Sequence, residues 1–176
     1  MNLYVVRHGE TAENKGSIMQ GKMETYLDEE GIRQAKELEP IVRKLNIDVV
    51  ISSPYQRAYD TAKYVCPDKV IMKDDRLRSR NHGEFQGKAR TEINLKDYWN
   101  IKKNIQYIEA ESVKELFDRV MSLLEDIKNN YDGQNVMIVT HSGICRVLYY
   151  YFNGIPEDGD LTGYESTNCS LEHYEI

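Results

Sequence analysis

Cysteine is scarce in this chain of 176 residues, and its three copies, Cys66, Cys145 and Cys169, lie far apart. Their spacing matches neither the disulfide framework of a small secreted domain nor a zinc site. We therefore expect reduced, buried thiols that pack as small apolar side chains. We expect no metal and no other cofactor.

Long apolar runs are also missing, although hydrophobic residues make up 40% of the chain and charged residues 30%, as in globular proteins. No segment approaches the roughly 20 apolar residues of a membrane-spanning helix. The first residues form the pattern of a buried strand, which differs from a signal peptide. We expect a cytoplasmic protein without membrane contact, with residues 1–176 forming a single domain.

Basic residues are in the minority, with 23 lysines and arginines against 29 acidic residues and a net charge of -6. Nucleic-acid-binding proteins usually carry a basic face, so we expect no nucleic-acid partner. A small anionic substrate is still compatible with this charge, because a few arginines that converge in a cleft can dominate the local potential.

Short apolar runs alternate with segments of helical periodicity. The predicted strands cover residues 3–6, 48–52, 70–72, 136–140 and 171–174. The predicted helices cover residues 28–45, 53–65, 91–101, 112–131 and 144–152. This alternation predicts an α/β fold, a three-layer α/β/α sandwich with a mostly parallel central sheet and helices on both faces.

Three sequence signals set the predicted helix boundaries. Ser53 and Ser112 are candidate N-caps, and Glu115 completes a capping box with Ser112. Pro54 suits the first helical position after Ser53. Pro40 predicts a kink or a break near Glu39 in the first long helix.

Arginine and histidine follow several of the predicted strands. Arg7 and His8 come directly after the first strand, Arg57 comes shortly after the second, and His141 comes directly after the fourth. Because ligands of open α/β sheets bind at the carboxyl ends of the strands, we expect these four side chains to meet in one cleft. Such a cluster of positive charge is typical of an anion site.

These residues belong to a longer series of motifs that spans nearly the whole chain. In chain order the motifs are Arg7-His8-Gly9-Glu10-Thr11 with Asn14, Gln20-Gly21, Leu27-Asp28-Glu29-Glu30-Gly31, Ser52-Ser53-Pro54 with Arg57-Ala58 and Thr61-Ala62, Asn81 with Gly83 and Gly87, Glu111-Ser112, and Val139-Thr140-His141-Ser142-Gly143 with Arg146. No single motif is specific, but the joint pattern resembles the histidine phosphatase superfamily, in its phosphoglycerate-mutase-like branch.

The resemblance implies a phosphoric monoester hydrolase that needs no metal and acts on a small phosphorylated metabolite. It implies that His8 is the nucleophile that takes up the phosphoryl group, and that Arg7, Arg57 and His141 hold the phosphoryl oxygens. By the same resemblance, Asn14, Gln20 and Gly21 border the substrate pocket. Ser79, Arg80 and Ser142 complete the predicted set of phosphate- and substrate-binding residues.

One position departs from the family pattern. The glutamate that donates a proton to the leaving group in the family is replaced here by Ser79, and a serine hydroxyl is a poor general acid near neutral pH. Losing general acid catalysis typically costs roughly 10²- to 10⁴-fold in rate. Glu84, Glu111 or His82 are candidates to replace it, and aryl or acyl phosphates would need less proton donation.

Two other functions remain open at this point. A phosphoglycerate-type mutase is the nearest enzymatic alternative, although family mutases are longer and carry an insertion that this compact chain lacks. A catalytically weak binder of a phosphorylated ligand or phosphoprotein is the second, because the usual acid is Ser79. The identity of the substrate and the oligomeric state do not follow from the sequence.

Overall fold

A single five-stranded sheet forms the centre of the molecule in the computed structural model, which describes residues 1–176. The strands are β1 (Asn2–Arg7), β2 (Val49–Ser52), β3 (Ile71–Lys73), β4 (Asn135–Thr140) and β5 (Leu171–Glu175). Their order is β3-β2-β4-β1-β5. The first four strands run parallel, and β5 pairs antiparallel with β1 at the edge. The predicted, mostly parallel sheet is therefore confirmed.

Six α-helices and four short 3₁₀ helices connect the strands. The α-helices are α1 (Ala12–Lys15), α2 (Glu29–Val42), α3 (Gln56–Val65), α4 (Leu95–Tyr98), α5 (Val113–Asn130) and α6 (Ser142–Asn153). The 3₁₀ helices cover Arg43–Leu45, Asp75–Leu77, Gly83–Phe85 and Arg90–Glu92. None of these helices is both long enough and apolar enough to span a membrane.

The helices cover both faces of the sheet, as predicted. Successive side chains of a strand point to opposite faces, so Val5 packs in one core and Val6 in the other. The core around Val5 also contains the apolar faces of α5 and α6. The core around Val6 contains those of α2 and α3. The molecule is thus a three-layer α/β/α sandwich.

Three helix predictions differ from the structure. Helix α2 continues past Pro40 to Val42, so there is no break near Glu39. Ser53 is not an N-cap, because α3 begins only at Gln56 and the Ser53 hydroxyl oxygen lies 2.8 Å from Nε2 of His141. Residues 91–101 do not form one long helix. Residues 91 and 92 belong to the 3₁₀ helix Arg90–Glu92, and the four-residue helix α4 follows, with Asn94 as its N-cap.

The predicted capping box at the start of α5 is present. The Ser112 hydroxyl accepts a hydrogen bond from the Glu115 N–H at 3.2 Å, and the Glu115 carboxylate accepts one from the Ser112 N–H at 2.7 Å. Local sequence signals were sufficient here, because both partners lie within one helical turn.

The loop after β1 packs against the start of α2 through bare backbone. A Cβ atom on Gly31 would lie 2.2 Å from the carbonyl oxygen of Glu10, and one on Gly9 would lie 2.5 Å from the carbonyl oxygen of Gly31. The Asp28 N–H also donates to the Glu10 carbonyl at 3.0 Å. Only glycine permits this approach, which holds the two residues after His8 in place.

We expect Gly31→Ala to lower the free energy of unfolding by about 1–3 kcal/mol, because the added methyl group must push two backbone segments apart. Urea denaturation measures this change. Gly16→Ala is the matched control, since the nearest atom to its added Cβ would be 3.5 Å away. Equal stability of the two variants would contradict the proposed role of the backbone contact.

Candidate active site

The carboxyl ends of β1 and β4 bring two histidines together. Arg7 pairs with Thr140 in the parallel ladder, so the next residues, His8 and His141, leave the sheet side by side. The backbone N–H of His8 donates to the Thr140 carbonyl at 2.9 Å. The two imidazole rings lie 5.1 Å apart, centroid to centroid, and both are buried.

Two buried arginines lie beside the histidine pair. Arg57 is only 1% exposed and occupies the first turn of α3, where its guanidinium donates to the carbonyls of Gly21 at 2.9 Å and Met23 at 2.8 Å. The Arg7 guanidinium donates to the Ser166 carbonyl. Neither side chain forms an ion pair. Backbone carbonyls thus orient both guanidinium groups and leave their positive charge uncompensated.

The hydrogen bond of His8 assigns its tautomer. Nδ1 lies 2.7 Å from the carbonyl oxygen of Gly9, and because a carbonyl can only accept, Nδ1 must carry the proton. In a neutral ring the lone pair is then on Nε2, which has no hydrogen-bond partner in the protein. The Nε2 atom of His8 is therefore free to act as a nucleophile.

Both histidines are kept neutral. Burial is the main cause that holds the pKa of His8 and of His141 well below 6.5, and the neighbouring charges of Arg57 and Arg7 lower both further. An imidazolium ion would be desolvated and repelled by two guanidinium ions. Near pH 7, the nucleophilic form of His8 is thus the prevailing one.

Several buried nitrogen atoms at this site lack a partner. They are Nε of Arg7, Nε of Arg57 and Nδ1 of His141. The Ser53 hydroxyl accepts from the Tyr55 N–H at 3.3 Å and can donate to Nε2 of His141, which would leave the proton of His141 on Nδ1. Buried donors without an acceptor are uncommon in proteins, and an oxyanion would satisfy them.

These groups line a cavity of about 70 Å³. The predicted residues Arg7, His8, Asn14, Gln20, Gly21, Arg57, Ser79, His141 and Ser142 all contribute to its wall. Two of these polar side chains are held by local hydrogen bonds: Asn14 Oδ1 accepts from the Thr11 N–H at 3.2 Å, and Gln20 Oε1 accepts from the Thr25 hydroxyl at 2.6 Å. The structure thus brings these predicted residues together.

Arg80 is the predicted residue that does not line the cavity. Its guanidinium is fully buried, lies over the ring of Tyr98 at 3.8 Å, and donates to the carbonyls of Tyr98 and Glu111, each at 2.8 Å. In this position, Arg80 joins the segment before α5 to α4 and packs against the wall of the site rather than contacting its interior.

Other cavity residues were not among the predicted contacts. Arg90 and Glu165 form a two-pronged ion pair, with N–O distances of 2.6 and 2.8 Å. Arg146 is buried, lies 4.4 Å from the ring centroid of Trp99 and is 3.8 Å from Glu165. Arg90 and Glu165 are 75 positions apart and carry no local motif, so no sequence signal pointed to them.

The three candidate replacements for the missing acid lie in different environments. His82 lines the cavity, and its Nδ1 lies 2.7 Å from the Tyr98 hydroxyl. Both carboxylate oxygens of Glu111 accept from Arg119, each at 2.8 Å. Glu84 lies outside the cavity wall and accepts from the Ile108 N–H at 3.0 Å.

Comparison with known proteins agrees with this geometry. Residues 3–176 match the sequence profile of the family described as "Histidine phosphatase superfamily (branch 1)". The chain is 28% identical over its whole length to "Phosphoserine phosphatase 1" of Hydrogenobacter thermophilus, covering 85% of that protein. It is 33% identical over 90% of its length to "Metal-independent phosphoserine phosphatase" of Arabidopsis thaliana, covering 71% of that protein.

A solved structure shows the same fold. A mycobacterial glucosyl-3-phosphoglycerate phosphatase, determined in complex with VO₃, superposes with a TM-score of 0.85. The alignment covers 98% of this chain and 91% of that protein, at 25% identity.

The buried and neutral His82 predicts a specific dependence of the free energy of unfolding on pH. Burial and the charge of Arg80 lower the pKa of His82 to about 3, while an unfolded histidine titrates near 6.5. Between these two pKa values the unfolded state binds a proton at His82 that the folded state does not bind. The free energy of unfolding therefore falls as the pH falls. We expect His82→Gln to remove this contribution to the pH dependence of the free energy of unfolding, which is about 1.4 kcal/mol per pH unit between pH 6 and 5.

Urea denaturation in phosphate-free buffers at pH 7.5, 6 and 5 measures this difference. His173→Gln is the control, because His173 is an exposed residue of β5. Identical pH slopes for His82→Gln and the wild type would show that His82 is not held neutral.

Proposed function

This chain belongs to the histidine phosphatase superfamily and is a phosphomonoester hydrolase, and we propose that His8 carries its phosphohistidine intermediate. The observation that carries this assignment is the fixed tautomer of His8. Its Nδ1 proton is bound to the Gly9 carbonyl, so the Nε2 lone pair is available between two buried guanidinium ions. Phosphoryl transfer depends mainly on such positioning and on compensation of negative charge.

In the proposed first step, Nε2 of His8 attacks phosphorus while the bond to the leaving oxygen breaks. Arg7, Arg57 and His141 bind the three non-bridging oxygens, which carry negative charge throughout the step. The unpartnered nitrogens of these three residues support this role, since a bound phosphoryl group would supply the acceptors that the protein does not. Hydrogen bonds to an anion are stronger than neutral ones.

In the second step, water adds to phosphorus as the N–P bond breaks. The electron pair of that bond returns to Nε2, and both protons of water leave with phosphate as its monoanion. His8 is thus regenerated in its neutral form. The same arginines stabilise both steps, because both pass through a similar array of equatorial oxygens.

The substrate is proposed to be a small phosphorylated metabolite. The names of the relatives refer to phosphoserine and to glucosyl-3-phosphoglycerate, which are small phosphomonoesters. The narrow cavity supports this proposal, because its walls enclose the phosphoryl position closely.

Phosphate release from p-nitrophenyl phosphate tests the proposal. We expect the wild type to release phosphate in the presence of EDTA, and His8→Ala to lose about 10³-fold or more in kcat, because the nucleophile is absent. His173→Ala is the matched control, because it removes an exposed histidine from β5 and leaves the cavity untouched. Equal losses in both variants, or full activity of His8→Ala, would contradict the assignment of His8.

Binding of inorganic phosphate distinguishes an enzyme from a protein that only binds phosphorylated ligands. We expect inorganic phosphate to raise the melting temperature of the wild type and of His8→Ala, because the two arginines and His141 remain, and to raise that of Arg57→Ala much less. Phosphate binding together with the absence of any turnover in the wild type would favour a binding protein.

A further inference from the structure

Ser79 is the residue shared by the phosphoryl cavity and a larger neighbouring one. The neighbouring cavity has a volume of about 590 Å³, against about 70 Å³ for the phosphoryl cavity. The small serine side chain therefore stands at the boundary where the family pattern places a glutamate. By the family resemblance, this is the position from which a proton reaches the leaving group.

None of the acidic groups near Ser79 is suited to donate a proton. Within the phosphoryl cavity, Glu165 is bonded to Arg90 through both oxygens, and this bond lowers its pKa. His82 is already neutral near pH 7, with a pKa of about 3. A neutral imidazole is a far weaker acid than a carboxylic acid, so neither group can replace the missing glutamate.

The acidic groups of the neighbouring cavity are also engaged. Glu111 is bound through both oxygens to Arg119, and Asp75 lies 2.9 Å from Arg78. Glu115 accepts from the Ser112 N–H, and this bond lowers its pKa. All three carboxyl groups are therefore already engaged by an arginine or by a backbone N–H. The walls of the two cavities therefore offer no uncommitted carboxyl group to the leaving oxygen.

The wall of the neighbouring cavity contains more basic than acidic residues, although Arg76 is paired with Asp74 and Asp126, which lie outside this wall. Its basic residues are Lys22, Arg76, Arg78 and Arg119, and its acidic residues are Asp75, Glu111 and Glu115. Lys22 forms no ion pair, and the only carboxylate near Arg78 is the exposed Asp75.

An aromatic side chain, Tyr55, forms part of the same wall. Arg57, from the phosphoryl cavity, lies 5.1 Å from its ring centroid and Arg78 lies 5.8 Å from it. An aromatic leaving group that gains negative charge as the P–O bond breaks would match these surroundings.

A third cavity also adjoins the phosphoryl site, but its charges are balanced. It has a volume of about 430 Å³ and shares Arg7, Asn14, Arg90 and Glu165 with the phosphoryl cavity. Arg90 is already paired with Glu165, and the remaining cation of that wall, Arg7, is the one proposed to hold the phosphoryl oxygens. The cavity beyond Ser79 is therefore the better match.

We propose that the cavity bounded by Lys22, Tyr55, Arg78 and Ser79 is a leaving-group subsite, and that the enzyme selects phosphomonoesters whose alcohol is phenolic or enolic. The inference rests on the proposed phosphohistidine mechanism. As the bond from Nε2 of His8 to phosphorus forms, the P–O bond breaks and its electron pair stays on the leaving oxygen. The leaving group departs as an anion, stabilised by Lys22 and Arg78, and takes up a proton from water afterwards.

A series of leaving groups tests the selectivity. We compare kcat/KM for p-nitrophenyl phosphate, phenyl phosphate and glycerol 2-phosphate, whose alcohols become progressively less acidic. In the wild type we expect a steep decrease along the series. Ser79→Glu restores a carboxylic acid, and we expect it to raise kcat/KM for glycerol 2-phosphate by roughly 10²-fold and that for p-nitrophenyl phosphate far less.

Ser79→Gln is the matched control, because glutamine has nearly the size of glutamate but no acidic proton. We expect it to give no gain with any substrate and, by filling the boundary, to raise KM for phenyl phosphate. Equal gains in the two variants would show that volume, not proton donation, limits the reaction. A wild type that hydrolyses glycerol 2-phosphate as fast as phenyl phosphate would overturn the inference.

The subsite is tested by removing its cations. We expect Lys22→Ala and Arg78→Ala each to lower kcat/KM for phenyl phosphate by about 3- to 10-fold, as suits partly exposed charges. The inhibition constant of inorganic phosphate should not change, because phosphate occupies only the phosphoryl cavity. Lys128→Ala, on the exposed face of α5, is the control. Unchanged kinetics in both cation variants would exclude this location.

These outcomes are separable from a failure of the proposed function. A wild type without any His8-dependent turnover would refute the phosphohistidine mechanism itself. A wild type with His8-dependent turnover but a flat leaving-group series would refute only the inference about Ser79.

Discussion

The site depends on burying positive charge without a carboxylate to neutralise it. Arg7 and Arg57 are buried beside His8 and His141, and the fold orients the guanidinium groups with the carbonyls of Gly21, Met23 and Ser166. A buried ion with only dipolar partners is costly, and the repulsion between the cations adds to that cost. The two histidines respond by remaining neutral, which is what the nucleophile of the proposed mechanism needs. In the proposed function, a bound dianionic phosphoryl group relieves the same repulsion, so the stability lost in the empty site contributes to the affinity for the substrate.

The rest of the fold brings these groups together from distant parts of the chain. The parallel register of β1 and β4 sets the two histidines side by side, and the first turn of α3 delivers Arg57. The close backbone contact of Gly9 with Gly31 then holds the loop that orients His8. Because strand pairing and backbone contacts are rigid, the reacting atoms do not rely on flexible side chains for their position.

Features encoded locally could be predicted from the sequence, and features that depend on distant contacts could not. Strand alternation, the capping box of α5 and the Arg-His pair at the end of β1 are local, and the structure shows them. Ser53 was assigned as an N-cap because nothing in its neighbours indicates His141, 88 positions away. Arg80 was assigned to the phosphate site because sequence gives the position of a guanidinium group but not its direction. The pair of Arg90 and Glu165 joins two loops whose meeting is a property of the whole fold.

Replacing a carboxylate by serine at position 79 changes more than proton donation. A carboxylate there would stand near a phosphoryl dianion, and two negative groups at short range repel each other more strongly in a buried cavity than in water. Its absence therefore favours binding of the phosphorylated ground state, while the transition state of a poor leaving group loses its proton donor. Interactions that strengthen ground-state binding alone do not accelerate the chemical step. Such a site accelerates the reaction only when the leaving oxygen is stable as an anion. The acidity of the leaving alcohol then takes the place of the proton donor that the protein lacks. In this proposal, the specificity of the enzyme depends as much on a missing side chain as on the arginines and histidines that are present.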